Sequence, residues 1–285
     1  MTPAVDPPFP RIGIAGLGLI GGSIALGVRS AWPAVKIVGV DRPEVCHAAL
    51  ARKAIDETRT TISDLSDVDL IVLATPIADI VEALDRIGRE HLGAIVTDVG
   101  STKRHIVAAA QAAGVQHFIG GHPMAGAERS GLDAARADLF RNRPWFLTPT
   151  RDASAEAGVS ELVRALGSTP VAVSPDAHDR AMAYLSHVPQ LLAVGLMVAA
   201  GEAVGEGGLP QSGRAFDEMT RLAASSPDVW ASILSTNADY VTEAMSALVT
   251  ALPLDVLTDP ARLRETFAKA NTWRARLDAQ RAARG

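Results

Sequence analysis

The stretch Arg11-Ile12-Gly13-Ile14-Ala15-Gly16-Leu17-Gly18-Leu19-Ile20-Gly21-Gly22-Ser23 decides how the rest of the chain is read. An apolar run enters a glycine-rich turn, and beyond it Ile24, Ala25, Leu26 and Val28 follow helical spacing. That order predicts a strand, a tight loop and a helix start. Gly16, Gly18 and Gly21 fit the spacing G-x-G-x-x-G. In such a loop the first glycine permits the turn, the second lets backbone approach a pyrophosphate, and the third lets the helix pack closely on the strand. Free N–H groups at the helix start then face the phosphates. Gly16, Gly18, Leu19, Ile20 and Gly21 are therefore candidate dinucleotide contacts.

Outward from the loop, Lys36-Ile37-Val38-Gly39-Val40 predicts a second strand that ends at Asp41. A carboxylate about twenty residues beyond the glycines accepts from the ribose 2′-hydroxyl. It also repels a 2′-phosphate, so NAD is the expected cofactor. Arg42 softens that preference and leaves NADP as the weaker alternative. A ligand-free glycine turn beside a solvated Asp41 is the competing reading. Asp69 to Ala74 is a third apolar run, ending at Thr75-Pro76, and Ala94 to Val99 is a fourth, ending at Gly100-Ser101. Runs without alternation suit a parallel sheet covered on both faces. Helical segments at 44–54, 77–87 and 103–113 separate them, with a further strand at 116–119. The fold expected is a doubly wound, Rossmann-type α/β sheet. Its ligands bind beyond the C-terminal strand ends, where Thr75, Pro76, Gly100, Ser101 and His122 fall.

Residues 120–150 read as loop-rich, with strands at 145–148 and 170–173 and a helix at 154–166. Ser174 is a plausible N-cap with Pro175 at the first helical position. From there helical periodicity dominates, notably at 175–200, 213–224, 227–251 and 259–283. The expected domains are 1–174, binding the dinucleotide, and 175–285, helical. So apolar a helical unit is expected to pair with a second copy, the other reading being a compact monomeric bundle.

The 285 residues are 48% hydrophobic and 21% charged, with a net charge of −5. No dense Lys/Arg block is present, so nucleic acid is not an expected partner. A single cysteine, Cys46, excludes an internal disulfide and suits a reducing compartment. Asp6 and four prolines in the first ten residues do not make a signal peptide. The longest apolar run, Leu191 to Ala200, is too short to span a bilayer. The expectation is a cytoplasmic protein without a membrane or metal partner.

His122 follows two glycines and precedes a proline at the ligand edge, which suits a general base. A structural hydrogen-bonding role fits it equally. Ser101 can bond the same substrate group or simply cap the next helix. Arg221 can clamp a carboxylate bidentately or pair with Glu218 three residues earlier. Pro189, inside Leu185-Ser186-His187-Val188-Pro189-Gln190, is expected to kink or break its helix.

These segments together resemble the prephenate/arogenate dehydrogenases of tyrosine biosynthesis. The motifs are Gly-Leu-Gly-Leu-Ile-Gly-Gly-Ser (16–23), Thr-Asp-Val-Gly-Ser-Thr-Lys (97–103), Gly-Gly-His-Pro-Met-Ala-Gly (120–126) and Ser-His-Val-Pro (186–189). Phe216, Thr220-Arg221-Leu222-Ala223 and the segment from Ser226 to Trp230 complete the set. The resemblance implies NAD-dependent oxidative decarboxylation of prephenate, or of arogenate. It implies that His122 accepts the 4-hydroxyl proton, that Ser101 bonds the same hydroxyl and that Arg221 holds a substrate carboxylate. His187, Gln190 and Glu128 fall at substrate-site positions, Glu128 in an ionic network with Arg221. Many prephenate-preferring members carry histidine where this chain has Gln190, which leaves the pyruvyl or alanyl side chain open. A hydroxyacid or imine reductase would need a helical-domain lysine, and none lies in 175–260. A non-catalytic NAD sensor would have no use for His122, Ser101 and Arg221 together.

Overall fold

The computed structural model describes residues 6–126, 129–252 and 254–283. The glycine stretch folds as its pattern dictates: β1 (Arg11–Ala15) runs into the loop, and α1 (Leu19–Ala31) leaves it. The chain then lays down β2 (Lys36–Val40), α2 (Pro43–Ala51), β3 (Glu57–Arg59), β4 (Leu70–Leu73), α3 (Ile77–Arg89), β5 (Ile95–Asp98), α4 (Arg104–Ala112) and β6 (Phe118–Ile119). These strands form one parallel sheet in the order β3-β2-β1-β4-β5-β6. Every residue of β4 is buried, because helices cover both faces. On one face α3 presents Ile77, Ile80, Leu84 and Ile87, one helical stripe, to Leu65, Ile71 and Val96. On the other, Ile24 and Val28 of α1 pack with Ile12, Ile14 and Phe140.

A second, three-stranded sheet follows; two of its strands fall at the apolar runs expected at 145–148 and 170–173, and the third lies where the sequence reads as loop. β7 (Gly121–Pro123) pairs antiparallel with β8 (Pro144–Leu147), and β8 pairs parallel with β9 (Thr169–Ala172). α5 (Ala153–Ala165) links the last two. Three residues are too few for a strand to show in a hydropathy pattern, so β7 is invisible before folding.

The helical half begins at α6 (Pro175–Met182), capped by the Ser174 side chain as its spacing predicts. Pro189 does not break the helix. A π turn over Ala183–His187 precedes α7 (Val188–Gly208), so the proline sits in a first turn. The wider turn removes the demand for the N–H that proline lacks. α8 (Arg214–Thr220) follows. The segment expected as one helix over 227–251 is two, α9 (Pro227–Thr236) and α10 (Ala238–Ala251), divided at Asn237. α11 (Pro260–Ala282) ends the described chain and has no buried residue.

The two halves share a core, since Ile233 of α9 joins the cluster around α3 and α4. The helical half leaves apolar side chains exposed, Leu192, Leu196 and Val198 on α7 and Phe267 and Trp273 on α11. By length and composition alone, residues 175–211 and 238–257 are apolar enough to cross a bilayer. The first of these stretches also carries His178, Asp179, His187 and Gln190, all buried against other parts of the chain.

Candidate active site

The glycine loop has the shape a dinucleotide requires. Gly16 adopts φ +92°, and a Cβ there would lie 2.4 Å from the Ala74 carbonyl oxygen. A Cβ on Gly21 would lie 1.8 Å from the Gly16 oxygen, so helix and loop touch through backbone alone. Gly18, by contrast, faces open space and caps α1 without a side-chain bond, leaving the helix N–H groups for a ligand. Asp41 lies beneath the loop, where its carboxylate accepts from the Leu17 N–H at 2.6 Å and the Arg42 N–H at 2.7 Å. Each oxygen keeps a lone pair for a ribose hydroxyl. The Arg42 side chain is exposed. Thr75 and Pro76 follow β4 beside Gly16, and Gly100 follows β5.

Next to this loop, one buried carboxylate organises two catalytic candidates. Asp98, at the end of β5, accepts from Gly100 N at 2.7 Å and Gly121 N at 3.0 Å. It also pairs with the fully buried ammonium of Lys103, which donates to the Gly121 carbonyl at 2.6 Å. The loop that carries Ser101 is thereby locked to the strand that carries His122. Ser101 is half-buried, and its hydroxyl makes no hydrogen bond among the described residues. It is not the helix cap. That position belongs to Lys103, and the first amides of α4 are received by Asp179.

His122 lies on β7, opposite Phe146 of β8. Its Nδ1 is 2.8 Å from Nε2 of His178, and Nδ1 of His178 is 2.7 Å from Oδ1 of Asp179. The Phe146 ring lies edge-on to His178 at 5.4 Å. Burial, with His178 and Lys103 nearby, holds His122 well below the ordinary histidine range. Burial likewise lowers His178, and lowers His187 to about 4. His187 is fully buried in the π turn, its ring edge-on to Trp230 at 6.0 Å. Its Nδ1 is 3.2 Å from Nδ2 of the buried Asn237.

Gln190 is buried on α7, donates to the Leu222 carbonyl at 2.8 Å and accepts from Ser225 at 3.3 Å. It therefore braces the 3₁₀ turn Arg221–Ala224 that carries Arg221. Glu218, three residues before that arginine, pairs with Arg214 at 2.8 Å. Glu128 lies outside the described residues.

Comparison with known proteins gives two matches along this chain. Residues 24–171 match the family model for the prephenate dehydrogenase nucleotide-binding domain, and residues 174–252 match that for its dimerization domain. The chain belongs to the prephenate dehydrogenase family. Relatives include a prephenate dehydrogenase of Lactococcus lactis, 37% identical over 82% of this chain and 66% of its own length. One from Bacillus subtilis is 36% identical over 80% of this chain and 64% of its own. The chain thus spans just under two thirds of the length of these relatives. The cyclohexadienyl dehydrogenase of Zymomonas mobilis is 32% identical over 81% of this chain and 82% of its own. Among solved structures, the prephenate dehydrogenase of A. aeolicus, in complex with hydroxyphenyl propionate and NAD+, superposes with TM-score 0.83 at 27% identity. That alignment covers 96% of this chain and 97% of the other. The arogenate dehydrogenase of Synechocystis superposes with TM-score 0.80 at 29% identity, covering 94% and 99%.

Within the prephenate dehydrogenase fold of this chain, Gly16, Gly18, Leu19, Ile20, Gly21, Asp41, Thr75, Pro76 and Gly100 all border the C-terminal ends of β1, β2, β4 and β5. Sequence reasoning passed over Asp98, Lys103, His178, Asp179 and Asn237. Asp98 and Lys103 lie within Thr97–Lys103, where local pattern gives neither a role. The adjacent His178-Asp179 pair was a visible signal at the start of an otherwise apolar helical half. Asn237 carried none, because one polar residue in a helical pattern looks like surface.

Proposed function

We propose that this chain catalyses the NAD-dependent oxidative decarboxylation of prephenate to 4-hydroxyphenylpyruvate. The observation that carries the reading is His122: Nδ1 is engaged by His178, which leaves Nε2 to receive a proton at the strand-end edge that also carries the dinucleotide-shaped loop. Family membership supplies the reaction class. Asp41 supports NAD over NADP, because its oxygens suit a ribose hydroxyl and repel a phosphate.

In this mechanism bound NAD supplies the hydride acceptor. His122 takes the 4-hydroxyl proton at Nε2 while the hydride leaves the same carbon, and the hydroxyl oxygen becomes a carbonyl. The ring carboxylate then departs as CO2, its bonding pair enters the ring, and the phenol oxygen recovers the proton. Ser101 bonds the reacting hydroxyl. Arg221 holds a carboxylate of the substrate, and Gln190 steadies the turn that presents it. A placed base contributes about 10²–10⁴-fold; aromatisation supplies further driving force. The exposed apolar side chains of the helical half support a homodimer, and a single cysteine suits a cytoplasmic enzyme.

The deciding measurement is NADH formation by the purified protein with prephenate and arogenate side by side. Faster turnover of prephenate is expected. Faster turnover of arogenate reassigns the substrate to the alanyl compound. Turnover of neither, with NAD binding intact, overturns the proposal.

A further inference from the structure

We infer that Asp179, His178 and Asn237 set the ring protons of the two site histidines in opposite senses, so that His122 presents a bare Nε2 and His187 presents an Nε2–H. The first arm starts at Asp179. Its carboxylate accepts from groups that can only donate, the Lys103 N–H at 2.6 Å and the Arg104 N–H at 2.9 Å. Oδ1 also faces Nδ1 of His178 at 2.7 Å, so that nitrogen carries a proton. His178 is fully buried, and burial favours its neutral form. A neutral ring holds one proton, so Nε2 of His178 is an acceptor. Nδ1 of His122, 2.8 Å away, must therefore donate, which leaves His122 Nε2 bare.

The second arm runs through Asn237, which is fully buried. Arg104 can only donate, so Oδ1 of Asn237 faces Nη2 of Arg104 at 3.1 Å. The Asp179 carbonyl can only accept, so Nδ2 faces it at 2.8 Å. These two contacts fix the amide orientation without ambiguity. The second Nδ2 proton then points at Nδ1 of His187, 3.2 Å away, and that nitrogen is the bare one. His187, lowered by burial, is neutral near pH 7 and carries its proton on Nε2. Asp179 anchors both arms, one through its carboxylate and the other through its carbonyl.

The consequence rests on the proposed reaction. The site needs an acceptor for a hydroxyl proton and a donor for an anionic or carbonyl oxygen. Reversed tautomers would set a lone pair against the carboxylate and a proton against the hydroxyl that must lose one. His178, Asp179 and Asn237 are positioning residues in this scheme.

The test is long-range ¹H–¹⁵N NMR of the full chain with ¹⁵N-histidine, assigned through His122→Gln and His187→Gln. The expected result is an Nδ1–H pattern for His122 and an Nε2–H pattern for His187. The opposite pattern at either ring overturns the inference, whether or not prephenate is turned over. Lack of turnover with the expected tautomers instead sinks the functional reading alone. Two variants add a kinetic readout. Asn237→Asp places acceptor oxygens toward His187 and should raise KM for prephenate about tenfold with kcat nearly kept. His178→Leu removes the acceptor for His122 and should lower kcat roughly hundredfold or more with KM nearly kept. If both variants fold and neither shows its split, the inference fails; if they do not fold, the wild-type spectrum decides.

Discussion

His122 stands one residue beyond a glycine whose N–H is held by Asp98 and whose carbonyl is held by Lys103. If it is the proposed base, a side chain placed this firmly loses little entropy in reaching its proton. His122→Asn should lower kcat by about 10²–10⁴-fold and leave prephenate binding nearly unchanged, as steady-state kinetics would show. An unchanged kcat would move the base elsewhere. The clamp itself has a stability signature. Lys103→Ala strands the buried Asp98 carboxylate and should cost about 3–5 kcal/mol, read from the denaturant midpoint. A loss under 1 kcal/mol, roughly that of a surface pair, would mean the ion pair is not the clamp. Asp41→Ala removes the carboxylate proposed to repel a 2′-phosphate, so the proposed preference for NAD should narrow in parallel titrations with NAD and NADP.

At the scale of elements, α6, the π turn and the start of α7 form one polar seam inside an apolar half. The seam holds His178 and His187, and His122 leans on it from β7. Burial lowers all three histidines, with His187 at about 4. The unfolded chain takes protons on these rings below about pH 6.5, while the fold resists them. The stability they allow is therefore complete above pH 6.5 and is lost as pH falls toward 4. The melting temperature should drop across that window, before carboxylates such as Asp152, held at about 2, begin to matter. A flat melting temperature between pH 6.5 and 4.5 would contradict this.

The whole molecule carries its unfinished surface on the helical half. Val198 is 53% exposed and Trp273 68% exposed in the single chain, beside other apolar side chains of α7 and α11. Patches of this kind mark interfaces. Light scattering should return twice the chain mass, and Val198→Glu should shift it toward one. A wild-type monomer at micromolar concentration would remove the dimer from the proposal.

How much of this was legible beforehand depends on the range of the interaction concerned. The parallel sheet, the glycine loop, Asp41 at the end of β2 and the ligand edge follow from local patterns. Unbroken apolar runs demand two-sided cover, and a tight turn demands glycine. The change to helices near residue 174 is equally local, being a matter of capping and periodicity. Other features exist only through partners distant in the chain. β7 is a strand because β8 receives it more than twenty residues later. The break at Asn237 spends a buried amide on Arg104, Asp179 and His187. A hydrogen-bond chain such as His122–His178–Asp179 has no period and no composition, so only the tertiary structure decides it.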